Sequence, residues 1–158
     1  MPDPTPMPKQ FEFSEVKRLS SKTSCGTPRL ESQKKPLVMF VDDDPMILAS
    51  VNRQLARKLT SIDFVFCDGG AKALSTAAIR PPDILFSDLR MPVMDGLAFL
   101  REFSKRHPVT TRFAITGQLA AAELVELETL VERVFSKPVD CEHLGEIIKS
   151  IISPPDHN

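Results

Sequence analysis

Five residues of this 158-residue chain combine reactive type with telling position: Asp42, Asp43, Asp88, Thr116 and Lys137. Each stands where a short apolar run gives way to a polar turn. Asp42-Asp43 follows LVMFV, Asp88 closes DILFSD, Thr116 closes RFAIT and Lys137 follows RVFS. Carboxylates a few ångströms apart repel, which raises the pKa of at least one of them. A hard divalent cation removes that conflict. Magnesium prefers octahedral oxygen ligands and is commonly held by one or two carboxylates with waters and a phosphate oxygen. No softer ligand accompanies these acids, so magnesium, with manganese as its substitute, is the cation they suit. A lysine and a hydroxyl beside them suit an anion. Lys137 offers a compact positive charge to a phosphoryl oxygen, Thr116 a hydrogen bond to another, and Gly117 leaves room for a group to enter. Aspartate is itself a nucleophile toward phosphorus in aspartyl-phosphate chemistry. Cation and lysine together would neutralise the transferring group, which is most of what phosphoryl transfer asks of a protein.

These residues act together only if the fold gathers them. Leu37–Val41 is a continuous apolar run of strand length, suited to a strand covered on both faces. Asp44-Pro45 reads as an N-cap followed by proline at the first helical position, and Leu48, Val51, Leu55 and Leu59 repeat behind it at helical spacing. Ile62–Phe66 is a second strand and Gly69–Ala78 an alanine-rich helix. Pro81-Pro82 breaks the chain before a third strand, Asp83–Asp88. A helix over Asp95–Arg106 turns Leu97, Leu100 and Phe103 inward, with Asp95 as its N-cap. Arg112–Thr116 is a fourth strand, Ala120–Val131 a helix and Arg133–Ser136 a short fifth strand. Asp140 caps a last helix whose Leu144, Ile147, Ile148, Ile151 and Ile152 form an apolar stripe. Five β-α units with right-handed crossovers give an α/β fold, a five-stranded parallel doubly wound sheet with helices on both faces. Ligands in such sheets bind beyond the carboxyl ends of the strands, where the strand order reverses. All the reactive residues stand at those ends.

Composition bounds the rest. Residues 1–36 hold six of the fourteen prolines and seven basic against four acidic residues, whereas the remainder carries 13 basic and 17 acidic. A proline- and serine-rich basic leader buries little surface, so 1–36 reads as a flexible segment, with FEFSEVKRL a short helix within it. Residues 37–152 form the domain and 153–158 a tail. Three scattered cysteines, Cys25, Cys67 and Cys141, suit a reducing compartment rather than a disulfide framework or zinc site. His107, His143 and His157 lack metal-ligand spacing. A net charge of −1 argues against polyanion binding, and no apolar run approaches the roughly 20 residues of a membrane helix. The expectation is a cytoplasmic protein with no nucleic-acid or membrane partner.

The stretches VDDDP (41–45), DLRMPVMDG (88–96), ITG (115–117) and SKP (136–138) together resemble the receiver domain of bacterial two-component response regulators, including the stand-alone chemotaxis type. The resemblance runs over residues 37–152 and implies the flavodoxin-like strand order 2-1-3-4-5. It implies Asp88 as the phosphoacceptor. It also implies magnesium on Asp43, Asp88 and the Arg90 backbone carbonyl, with Asp42 acting through water. Thr116 and Lys137 would contact the phosphoryl group, and the Lys137–Pro138 peptide would be cis. The implied donor is a sensor histidine kinase or a histidine phosphotransfer protein. The implied output surface is formed by the fourth helix, fifth strand and fifth helix, where Glu123, Glu126, Glu128 and Glu132 add charge.

One position departs from that pattern. Val134 stands where receivers often carry the aromatic ring that swings inward as the threonine moves, and Phe135 points to the opposite face of a regular strand. The expected function is a phosphorylation-dependent, single-domain signalling switch. It is not an enzyme beyond phosphorylating and dephosphorylating itself, and Arg90 and Gln118 tune how fast water attacks the acyl phosphate. Two other readings stand beside it. The Asp-x-Asp spacing of Asp42 and Asp44 occurs in aspartate-nucleophile phosphohydrolases, though no further acidic pair follows Lys137. A receiver-like module that binds partners without being phosphorylated is the third.

Overall fold

A computed structural model describes residues 34–153. The leader, its short FEFSEVKRL helix and the tail lie largely or wholly outside the described residues. The described chain alternates strictly: β1 (Leu37–Val41), α1 (Pro45–Leu55), β2 (Asp63–Cys67), α2 (Gly70–Ile79), β3 (Ile84–Asp88), α3 (Gly96–Arg106), β4 (Thr111–Thr116), α4 (Ala121–Leu130), β5 (Arg133–Ser136) and α5 (Cys141–Ile152). All strand pairs are parallel, in the order β2-β1-β3-β4-β5. The order reverses between β1 and β3, so their carboxyl ends diverge and open the crevice that the topology requires.

The central strands are apolar on both faces because both faces are covered. Every residue of β1 and β3 is buried. On one face Met39, Val41, Leu85 and Ala114 meet Ala73 and Leu74 of α2, Phe99, Leu100 and Phe103 of α3, and Leu127 of α4. On the other, Val38, Ile84 and Ile115 meet Val51 and Leu55 of α1 and Leu144 and Ile148 of α5. A row of phenylalanines crosses this second face. The Phe40 and Phe86 rings stack with centroids 4.8 Å apart, Phe86 and Phe113 lie at 5.0 Å, and Phe113 and Phe135 at 5.7 Å.

Two of the three aspartates expected as N-caps make capping bonds. Asp44 Oδ1 accepts the Met46 amide at 2.9 Å, and Asp140 Oδ1 accepts those of Glu142 and His143 at 3.0 and 3.3 Å. Asp95 occupies the N-cap of α3 without a capping bond. What fixes that start is steric. A Cβ on Gly96 would lie 2.5 Å from the Asp88 carbonyl oxygen, so only glycine lets α3 begin against the end of β3. Leu59, read as part of the first helix, lies beyond its end. The Leu59 amide bonds the Leu55 carbonyl at 2.9 Å, which returns the side chain to the core although the helix has stopped. Among the described residues no helix is long and apolar enough to cross a membrane.

Candidate functional site

Asp42 extends β1 by one residue, and its amide still bonds the Cys67 carbonyl at 3.1 Å. Asp88 is the last residue of β3, paired in register with Ile115. The two carboxylates are therefore set by adjacent strands rather than by loop conformation. Both are buried, Asp42 at 6% and Asp88 at 3% exposure, while Asp43 faces solvent. One carboxylate oxygen from each of Asp42, Asp43 and Asp88 lies within 4.8 Å of the others. Asp42 Oδ1 also accepts the Asp44 amide at 2.9 Å, tying the acids to the start of α1.

Lys137 follows β5 and reaches back across the crevice. Its Nζ donates to Asp42 Oδ2 at 3.0 Å and lies 3.4 Å from Asp88 Oδ2. Its backbone amide continues the sheet by bonding the Thr116 carbonyl at 3.0 Å, and the Lys137–Pro138 peptide is cis. Burial pushes the Asp88 carboxyl above the usual carboxylate range. The Arg90 amide, donating to Asp88 Oδ1 at 3.2 Å, works against that shift, as does Lys137, while the charge of Asp42 adds to it. For Lys137, burial opposes the charged form, yet the bonds and charges of Asp42 and Asp88 outweigh it and raise the ammonium pKa. The group of acids is thus under-neutralised: one ammonium faces three carboxylates, and the most buried of them resists ionisation. That arrangement fits a hard dication.

The crevice, about 390 Å³, is lined by Asp42, Asp43, Asp44, Ile47, Asp88, Arg90, Gly117, Gln118 and Lys137. Six of the seven residues singled out in the sequence therefore line one opening. Thr116 is the exception. It is buried at 4% exposure, and its hydroxyl donates to the Gln118 carbonyl at 2.7 Å. Val134 packs with the α2–α4 face and Phe135 with the α1–α5 face, as strand alternation requires. One residue in contact with the site escaped the sequence reading. Glu123 is expected from the sequence only to add charge to the output surface, yet its Oε2 accepts the Arg90 Nη2 at 2.8 Å and the Ala120 amide at 2.9 Å. The only signal was its place three residues into α4, where a glutamate can close back on the helix start.

Comparison with known proteins agrees with this geometry. Residues 38–149 match the family described as the response regulator receiver domain. The DNA-binding transcriptional regulator NtrC of Escherichia coli (strain K12) is 43% identical over 123 residues, which are 76% of this chain and 25% of that protein. The transcriptional regulatory protein PrrA of Mycobacterium bovis is 34% identical over 94 residues, 56% of this chain and 40% of that one. This chain thus spans about a quarter of the length of its NtrC relatives. Among solved structures, a response regulator receiver protein from Pseudomonas putida superposes with a TM-score of 0.67 at 27% identity, covering 74% of this chain and 98% of that one. A CheY-like receiver domain protein from Methanospirillum hungatei JF-1 gives 0.69 at 22% identity over 75% and 94% of the two chains, a likeness of fold. With the acids, the strand order and the match over 38–149 in agreement, this chain belongs to the response regulator receiver domains of two-component signalling.

Proposed function

We propose that this domain is a phosphorylation-dependent switch whose acceptor is Asp88. The observation that carries the reading is the juxtaposition of Asp42, Asp43 and Asp88 within 4.8 Å with the Lys137 ammonium 3.4 Å from Asp88. A carboxylate oxygen of Asp88 attacks the phosphorus of a phosphohistidine on a sensor histidine kinase or phosphotransfer protein. The O–P bond forms as the N–P bond breaks, and the imidazole nitrogen leaves with the bond's electron pair. Asp43, Asp88 and the Arg90 carbonyl would hold magnesium, or manganese in its place, with Asp42 acting through water. The bound cation supplies charge neutralisation for the transferring group.

Lys137 orients and neutralises a phosphoryl oxygen. The Thr116 hydroxyl exchanges its bond to the Gln118 carbonyl for one to another phosphoryl oxygen, which releases the loop before α4. Arg90 and Gln118, at the mouth of the crevice, set how readily water attacks the acyl phosphate. The altered state is read by a partner protein on the surface of α4, β5 and α5, where Leu124 and Val125 are exposed. The test is incubation with magnesium and acetyl phosphate, followed by a phosphate-affinity gel. A retarded band that Asp88→Asn abolishes supports the reading. A wild-type chain that is never retarded, or an Asp88→Asn chain that is still retarded, overturns it.

A further inference from the structure

The helix that follows the crevice residues Gly117 and Gln118 in the chain is also the least anchored. Helix α4 buries one residue, Leu127, against four each in α2, α3 and α5. Beyond Leu127 and the partly buried Leu130, its hold is polar. Arg90 from the β3–α3 loop bonds Glu123, and Arg101 from α3 bonds Glu126. The two glutamates are three residues apart and share a face of the helix. Exposed ion pairs of this kind are weak and exchangeable, which suits a helix whose position has to change.

Arg90 is bifunctional in this arrangement. Its backbone amide touches Asp88 Oδ1 at 3.2 Å, its side chain lines the crevice, and its guanidinium ends on Glu123 at 2.8 Å. The carboxylate oxygen it reaches is shared, because the same Oε2 accepts the Ala120 amide. A phosphoryl group on Asp88, two residues away, carries close to two negative charges and three acceptor oxygens. Guanidinium pairs with such a group in a fork that one shared carboxylate oxygen does not offer. With Val134 on the α2–α4 face, β5 offers no ring on that face to relay a change, whereas this polar tie runs straight from the acceptor loop to the first turn of α4.

We infer that Glu123 is a positioning residue for the crevice: it parks the Arg90 guanidinium on the start of α4 and yields it to a phosphoryl group on Asp88, so that the pair couples the crevice to α4. The inference rests on Asp88 being the phosphoacceptor. In the unmodified domain Glu123 keeps the guanidinium off the acids. In the phosphorylated domain the guanidinium covers the phosphoryl group against water, and the first turn of α4 loses its tie to the β3–α3 loop.

The experiment compares the wild-type chain with Glu123→Gln, Arg90→Ala and the double variant. Glutamine still accepts the Ala120 amide, so Glu123→Gln keeps the helix start and removes only the charge that holds Arg90. Each chain is labelled with acetyl phosphate and magnesium, the donor is removed, and the decay of the phosphorylated band is timed. Glu123→Gln is expected to lengthen the half-life about threefold, the order of one exposed ion pair. The double variant is expected to decay like Arg90→Ala alone. In a second readout, backbone amide shifts of 121–124 are recorded before and after adding magnesium with beryllium fluoride. The Glu123→Gln chain is expected to start part-way toward the wild-type end point.

A half-life of Glu123→Gln equal to wild type overturns the inference. So does the same change in the Arg90→Ala background, which would mark a merely structural role for Glu123. Failure of the wild-type chain to label at all would overturn the phosphoacceptor reading, and this inference with it. Labelling at Asp88 with no Arg90-dependent effect of Glu123 would overturn the inference alone.

Discussion

Lys137 Nζ lies closer to Asp42 Oδ2, at 3.0 Å, than to Asp88 Oδ2, at 3.4 Å. The lysine therefore divides its charge between one acid of the cluster and the proposed acceptor. On the proposed function it would compete with a dication for the same carboxylates while preparing the space for a phosphoryl group. Replacing it with methionine removes a like charge from the cation's surroundings and a partner from the phosphoryl group. Magnesium affinity, measured by isothermal titration, is expected to rise by about three- to tenfold. Labelling by acetyl phosphate is expected to slow by about tenfold or more, the equivalent of one lost charge contact in the transition state. Opposite movement of the two quantities is the signature; a fall in both would refute the division of roles.

Asp88 links stability to pH in the direction opposite to an ordinary surface acid. Burial, assisted by Asp42, holds its folded pKa above the value near 3.9 of an unfolded chain. The folded state thus binds the proton more tightly. The favourable contribution is complete below the unfolded pKa and is lost as pH rises through the folded one. At neutral pH, without a cation, the ionised carboxylate is a penalty. Asp88→Asn is expected to melt about 4 °C above wild type in chelator at pH 7.5, and the gap is expected to close toward pH 4. Magnesium is expected to raise the wild-type midpoint far more than the variant's. Differential scanning fluorimetry across pH measures all three.

His107 gives a second linkage, remote from the crevice. Its ring packs on Phe103 with centroids 4.8 Å apart, and its Nε2 is buried with no hydrogen-bond partner. Burial, reinforced by the charge of Arg106, holds its pKa below the ordinary histidine value of 6.5. Its contribution is complete above the unfolded pKa and is lost as pH falls through the folded one. The wild-type melting temperature is expected to drop more between pH 7.5 and 5.5 than that of His107→Phe. Equal drops in the two chains would contradict this.

The phenylalanine row makes Phe86 the residue whose truncation costs most on the α1–α5 face. It is fully buried and stacks on both Phe40 and Phe113. Phe86→Ala removes a ring from between two others, where collapse is limited by the flanking strands. Urea unfolding is expected to show a loss of about 3–5 kcal/mol. A loss below 1 kcal/mol would mean that the row repacks.

Strand and helix identity and the placing of Asp42, Asp43, Asp88 and Lys137 at the carboxyl ends of strands were legible in the sequence from local patterns, whereas the strand order and the places of Arg90 and Gln118 came with the resemblance to the receiver family. An apolar run as short as LVMFV suits a covered strand, Asp44-Pro45 favours a helix start, and a parallel sheet puts every strand's carboxyl end on the same side. The opposite facing of Val134 and Phe135 is equally local, a consequence of alternation along one strand. Residue type likewise pointed to three acids, a hydroxyl and a lysine as the candidate site residues.

Tertiary structure alone decided which partner each polar group takes. The Thr116 hydroxyl bonds Gln118, Lys137 leans toward Asp42, and Glu123 holds Arg90. Asp95 stands at its cap position without capping, because Gly96 is pressed against the Asp88 backbone. Such choices depend on a few tenths of an ångström between loops far apart in the chain, and neither periodicity nor composition records those distances.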